Sequence, residues 1–562
     1  MTGDLIIRGA RISDGTGLPA FVGDVEVRDG RIASVGRVAD SGGATVIEAD
    51  GLDLTPGFVD VHTHYDAQLF FEPSASPSSW HGVTTVLTGN CGFTLAPSKP
   101  EDLDWLMQML AKVEGMSVDA LRAGVEFSGG SLGSYLDLLD GRIGVNMASY
   151  VGHAAVRRWA MGAEASEREA TADEIVTMQG LVDAAMRQGA LGLSTSQLDV
   201  HADHDGKPVP PNLAAPEEIV ALASVLAGYG QGAMEHLCRS FAVGYDAQDR
   251  ALLRDMVIAS GGKPLHANLL LRFTNAPDLW RSCLDVLEEL ARDGLRVLPM
   301  ASANPKGLHL ALSDTILFDE MPDWRSTLSL PMPERMAALG DPAHRAVLRA
   351  ALDDPNRQLV FDWPALLVVS VTRDENRKLV GRSIADIADE RRVDPLDAFL
   401  DLSIDEELEA VYVIDRPVTQ EDRDVIRFLL THPLTLPGSS DGGAHVNTFC
   451  GADYTTRVLT EYVDDGFPFE AAVRKLSALP AASVGLWNRG EIRPGAAADL
   501  LLIDRAALAV GDAKLVRDFP TGAGRLIWEQ HGYVATIVNG QRIIDDGSPT
   551  GATPGEVLRF NR

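Results

Sequence analysis

Through the middle of the chain, short apolar runs alternate with longer stretches whose apolar positions recur every three or four residues. The first pattern reads as buried strand and the second as amphipathic helix. Eight runs qualify as strands: PGFVDVHTH (56–64), GVTTVLTGNCG (82–92), RIGVNMASYVGH (142–153), GALGLSTS (189–196), QGAMEHL (231–237), GKPLHANLL (262–270), LRVLPMAS (295–302) and THPLTLPGSSDGG (431–443). Segments such as EEIVALASVLAGYG (217–230) and LWRSCLDVLEELARDG (279–294) lie between them as helices. Strands that alternate with helices pair in parallel through right-handed crossovers, and eight such units can close into a (β/α)₈ barrel.

Both ends of the chain have a different texture. LIIRGARI, GDVEVRDGRIASVG and ATVIEA are short β-branched runs broken at Gly and Asp-Gly, and GEIRPGAAADLLLIDR and YVATIVNGQRIIDDG repeat that style. We therefore expect a small β-sandwich domain built from 1–56 and 483–562, with the barrel at 57–482. The seventh strand ends at 302 and the eighth begins at 431. That interval far exceeds a βα unit and implies an insertion at about 303–415. It reads either as a lid over the catalytic face or as a packed decoration. Its apolar piece DWPALLVV suggests a pocket wall.

Composition narrows the function. The 562 residues are 45% hydrophobic, enough for a large core, and the net charge is −31. Such a surface repels nucleic acid and anionic lipid, so neither is an expected partner. The four cysteines, Cys91, Cys238, Cys283 and Cys450, are far apart and form no CxxC pair, so a reducing compartment is expected. The opening MTGDLIIRGARISDG lacks the basic and apolar regions of a signal peptide, and we find no apolar run of about 18 residues. A cytoplasmic protein is the expectation.

The chemistry gathers where strands end, which is where barrel enzymes keep their active sites. His62 and His64 are two apart on a strand and point the same way, a suitable start for a zinc site. Cys91 follows the second strand, His236 closes the fifth, His266 lies on the sixth and Asp441 follows the eighth. Singly, each has a plain structural reading; together they fall in register around one mouth. His153, after the third strand, could touch substrate or a ligand. His201 and His204 sit on the loop after the fourth. His432 precedes Pro433 at the opposite end of the barrel and reads as structural, and His445 lies close to Asp441 without other support.

GFVDVHTHYD, TVLTGNCG, GALGLSTS, SSDGG, SALPAASVGL and EIRPGAAADLLLID together resemble the amidohydrolase superfamily, and within it the D-aminoacylase (N-acyl-D-amino-acid deacylase) family. The likeness spans nearly the whole chain, and the cysteine after the second strand is its most specific mark. It implies a zinc-dependent hydrolase of linear amides, with N-acyl-D-amino acids as the family's substrates. Cys91, His236 and His266 would hold a tight zinc. His62 and His64, with Cys91 and Asp441, would form a second, weaker site. Metal-bound hydroxide would attack the amide carbonyl, with Asp441 as general base and then acid. A homo-oligomer is expected only by analogy.

The likeness has gaps. The family's lysine two residues after the strand-6 histidine is Asn268 here, and the first arginine after Asp441 is Arg457, further along than in the family. Arg272, Lys306 or Arg373 could stand in as the carboxylate anchor, and an uncharged amide fits the sequence as an alternative. A cyclic-amide hydrolase is less favoured, because GALGLSTS has no lysine to bridge two metals. A deaminase lacks its glutamate three residues after a metal histidine, since Arg239 and Leu269 stand there.

Overall fold

The computed structural model describes residues 4–560 apart from 39–42, 200, 274–275, 304–306, 314, 316, 319, 355–361, 416–417, 449–450 and 465. Each of the eight expected runs contains a strand: β1 (Phe58–Asp60), β2 (Val83–Thr88), β3 (Asn146–Ser149, continued by Val151–Gly152), β4 (Gly192–Ser196), β5 (Ala233–Leu237), β6 (Leu265–Leu270), β7 (Val297–Ala301) and β8 (Leu436–Pro437). Every neighbouring pair from β1 to β8 is parallel. A parallel bridge from Thr63 to Gly442 then joins the segment after β8 to the segment after β1.

Successive side chains of a strand point to opposite faces. On β5, Met234 packs among the helices, whereas Ala233 joins Val59, Val61, Leu87, Tyr150 and Met300 in the cluster between the strands. Crossover helices carry their own punctuation. Ala172–Gln188 starts at a capping box of Thr171 with Glu174 and stops at Gly189 in the left-handed region. At Gly192 the strands approach so closely that a Cβ would sit 1.7 Å from the Ala233 carbonyl oxygen, so only glycine fits there.

Strands of the two chain ends share one nine-stranded sheet, in which Asp53–Pro56 pairs antiparallel with Leu500–Ile503. Its strands form one continuous hydrogen-bonded path around a core of Ile7, Val25, Leu54, Leu500 and Ile537. The insertion also has a core of its own. Leu308–Leu310, Leu366–Ser370 and Val411–Ile414 form a three-stranded antiparallel sheet, packed with helices around Trp324, Phe399 and Tyr412. Among the described residues no helix is long and apolar enough to cross a membrane. Cys91, Cys238 and Cys283 are free and buried, and Cys450 lies outside the described residues.

Candidate metal centre

Backbone hydrogen bonds aim the His-Thr-His segment. Thr63 N donates to Leu87 O at 3.1 Å and His64 N to Gly442 O at 2.7 Å, so the segment is held between the ends of β2 and β8. Cys91 turns in after β2 with φ 54, and its N–H donates to Glu235 Oε2 at 2.8 Å. Beyond β8, Ser439, Asp441 and His445 also have positive φ, at 56, 51 and 47. Non-glycine residues in this region cost about 1–3 kcal/mol each, and such strain concentrates at functional sites. Gly443 fits beneath them because a Cβ there would stand 2.7 Å from His64 O.

The result is a compact group. His62, His64 and Cys91 are all buried, and each offers a donor atom within 4.8 Å of the others. His62 Nε2 lies 3.5 Å from Cys91 Sγ and 3.2 Å from Asp441 Oδ1. His64 Nε2 lies 4.0 Å from the same Asp441 oxygen. The opposite ring nitrogens each face a buried acid: His62 Nδ1 is 3.7 Å from Glu235 Oε1, and His64 Nδ1 is 3.2 Å from Glu114 Oε1. His445 Nε2 lies 3.9 Å from the other Glu114 oxygen.

The electrostatics suit a cation. Burial and the nearby acids, Glu235 first among them, hold the Cys91 thiol well above its usual range. Burial pushes Glu235 up to about 7 and Glu114 well above the ordinary carboxyl range. Burial also drives His64 well below the usual histidine value. For His62 burial is the largest influence and lowers the pKa, but the hydrogen bond to Asp441 and the charges of Asp441, Glu235 and Asp60 together outweigh it, and the net shift is upward. Donors around one zinc sit roughly 3–4 Å apart, given bonds of about 2.0–2.3 Å. His62, His64 and Cys91 gather their donor atoms within 4.8 Å of one another, and His62 Nδ1 and Glu235 Oε1 are buried without a hydrogen-bond partner.

The group opens into a cavity of about 510 Å³ that reaches from His64, Cys91 and Asp441 past His201, Asn268 and Arg272 to an apolar wall. His201 lines it, and burial lowers that ring to about 4. The described insertion contributes Leu308, while DWPALLVV runs beside the insertion's own core and does not form the wall.

Two histidines do not join the group. Glu235 and Leu237 take the inner face of β5, so His236 falls on the outer face, paired in register with Thr195; burial lowers it to about 4. Neither ring nitrogen of His236 has a hydrogen-bond partner of normal geometry. His266 faces inward, but its Nε2 meets Ser483 Oγ at 3.0 Å and its Nδ1 meets the Tyr150 hydroxyl at 3.5 Å. Asn268, two residues on, takes the place beside the thiol, with Nδ2 4.0 Å from Cys91 Sγ.

The remaining candidates divide cleanly. His153 is fully buried between Thr195 Oγ1 and Glu218 Oε1, both at 2.8 Å, and Glu218 also holds Arg157, so His153 braces a helix and does not touch the cavity. His204 packs edge-on to Trp105, and His432 pairs with Glu288. Arg373 is a surface residue near Asp405 and Glu407. Arg457 is tied to Asp453 and Glu461 on its own helical segment. Neither arginine lines the cavity. Lys306 lies outside the described residues.

Parallel strands carrying a His-X-His pair after the first, a cysteine after the second and an aspartate after the eighth define an amidohydrolase-type enzyme. The model of the amidohydrolase family (Amidohydro_3) matches residues 45–544, and the chain belongs to that family. N-acyl-D-aspartate deacylase of Alcaligenes xylosoxydans xylosoxydans is 29% identical over 569 residues, covering 99% of this chain and 95% of that protein. A D-aminoacylase structure described for the role of its binuclear metal centre superposes with a TM-score of 0.65 at 26% identity, covering 99% of this chain and 100% of the other. N-acyl-D-glutamate deacylase from Bordetella bronchiseptica, in complex with zinc and a phosphonate mimic of the tetrahedral intermediate, gives 0.63 at 25% identity, with both chains covered fully. The chain therefore has the TIM-barrel fold of the amidohydrolases and is a hydrolase of carbon–nitrogen amide bonds.

Proposed function

We propose that the chain is a zinc-dependent hydrolase of linear amides of the N-acyl-amino-acid type. The observation that carries this reading is the buried His62–His64–Cys91 group beside Asp441, of which His64, Cys91 and Asp441 line one cavity. The relatives that cleave N-acyl-D-amino acids and the zinc-bound neighbour support it. In this reading the eight strands close as one barrel at 57–482 with the insertion at about 303–415, and 1–56 and 483–562 make a companion β-domain.

His62, His64 and Cys91 would hold the metal, with Asp441 beside them. Zinc bound there supplies a Lewis acid and lowers the pKa of water towards ~7. Glu235 and Glu114 fix the rings from behind, so that each Nε2 faces the thiol or Asp441. The Asp441 carboxylate accepts the proton of the attacking water and returns it to the departing nitrogen. Asn268 holds the thiol side of the site, with its Oδ1 fixed by Ser439 Oγ at 3.0 Å.

Glu235→Gln and Glu114→Gln keep the shape and remove the carboxyl group behind each ring. Each should weaken zinc binding by about 10–100-fold, read by competition with a chromophoric chelator. Zinc affinity unchanged in both variants would remove these acids from the site. The function itself is tested on the zinc-loaded enzyme with N-acyl amino acids and other linear amides beside hydantoins and dihydropyrimidines. We expect amine release from linear amides, loss of turnover on chelation and recovery with zinc. Turnover confined to cyclic amides, or indifferent to chelation, would overturn the reading.

A further inference from the structure

The charges around the cavity say what kind of molecule it admits. Its ionisable lining beyond the histidines consists of Glu114, Asp422, Asp441, Cys91 and, among the described residues, a single cation, Arg272. That cation is already engaged. Arg272 Nη1 donates to Asp422 Oδ1 at 2.5 Å, and Nη2 lies 2.8 Å from Glu421 Oε2. Asp422 is itself fixed, because its Oδ2 accepts from Thr419 N and Oγ1 at 2.9 and 2.7 Å in the capping box of the helix Gln420–Thr431. A carboxylate gripped by an arginine takes two parallel N–H bonds. Here both terminal nitrogens already face carboxylates, and a third would stand against two like charges. The buried Nε–H of Arg272 has no hydrogen-bond partner, and one such donor suits a neutral carbonyl oxygen.

The rest of the lining is largely apolar. Phe241 and Phe273 meet edge to face at 5.8 Å, and Leu237, Val425, Ile426 and Leu429 continue the surface. The last three belong to or face the helix that Asp422 caps, so the wall and the occupied ion pair form one unit. Such a surface favours a ligand that buries apolar area against it.

We infer that this cavity selects an uncharged linear amide bearing an aliphatic or aryl group, in preference to an N-acyl amino acid with a free carboxylate. The inference rests on the linear-amide-hydrolase reading above and moves the preferred substrate from N-acyl amino acids to neutral amides. Asn268, whose Nδ2 lies 4.0 Å from the thiol, adds no charge to the binding surface.

The test uses matched compounds on the zinc-loaded full chain. N-octanoylphenethylamine and N-octanoylphenylalanine, in both D and L forms, differ only by the carboxylate. We expect kcat/KM for the neutral amide to exceed that of either anion by at least about tenfold. Equal or better turnover of an anion overturns the inference. Lys306→Ala and Arg272→Lys complete the test, and the ratio of neutral to anionic turnover should stay within about threefold in both. A variant that selectively loses the anionic substrate identifies an anchor and equally overturns it. If zinc is bound and none of the amides is cleaved, the amide-hydrolase reading itself fails, which is a separate result.

Discussion

Asp441→Asn should lower kcat by about 10²–10⁴-fold while most of the zinc stays bound. Asp441 lines the cavity, and its Oδ1 stands 3.2 Å from His62 Nε2 and 4.0 Å from His64 Nε2, so it borders both the donor group and the space where an amide would lie. The asparagine keeps the shape and the acceptor oxygen but cannot carry a proton between water and the departing nitrogen. The residue is also held in place: it takes φ 51, and its own carbonyl accepts from Ala444 N at 2.8 Å. The variant should therefore fold like the parent. Steady-state kinetics with metal analysis on the same sample checks the expectation. A kcat within about tenfold of the parent would take the proton-transfer role away from Asp441.

His62→Ala should remove the metal almost completely, and with it activity. The ring stands between Glu235 and Asp441 and beside the thiol, so its loss deletes one donor and leaves two acids facing each other across a buried gap. A zinc site reduced from three nitrogen and sulfur donors to two should lose at least about a hundredfold in affinity, more than an orienting partner contributes. His236→Ala is the informative contrast. Its ring is on the outer face of β5, so zinc should be retained, and the variant should pay instead in thermal stability, because a cavity opens beneath Thr195. Zinc content and melting temperature of the two variants separate these outcomes. Loss of zinc in His236→Ala would place that ring at the metal and would require β5 to present it inward.

Much of this arrangement is legible in the chain. All eight strands fall inside the runs that alternate with amphipathic stretches, because parallel strands covered by helices read as continuous apolar segments. Their ends are less legible: β1 and β8 shrink to Phe58–Asp60 and Leu436–Pro437, where the chain leaves regular pairing to aim His62, His64 and Asp441. Those residues and Cys91 stand out because each follows a strand. Glu235 is recoverable in principle, since strict alternation along AMEHL gives the inner face to Ala233, Glu235 and Leu237 and the outer face to His236. The adjacent histidine drew the reading instead. Glu114 gives no signal, because it reaches His64 from the end of the helix Leu103–Glu114 through tertiary packing alone. The apolar DWPALLVV run promised a pocket wall, yet its hydrophobic side chains serve the insertion's own core, and periodicity does not say which core an apolar strand will join.

The central claim is that a buried thiolate and two histidines hold one catalytic zinc. The measurement that tests it most directly is zinc per chain for the parent and for Cys91→Ala, purified side by side and read by plasma mass spectrometry. The account predicts about one tightly held zinc in the parent and a loss of most of it in Cys91→Ala. A parent without zinc, or a Cys91→Ala variant that keeps its full complement, would contradict the account.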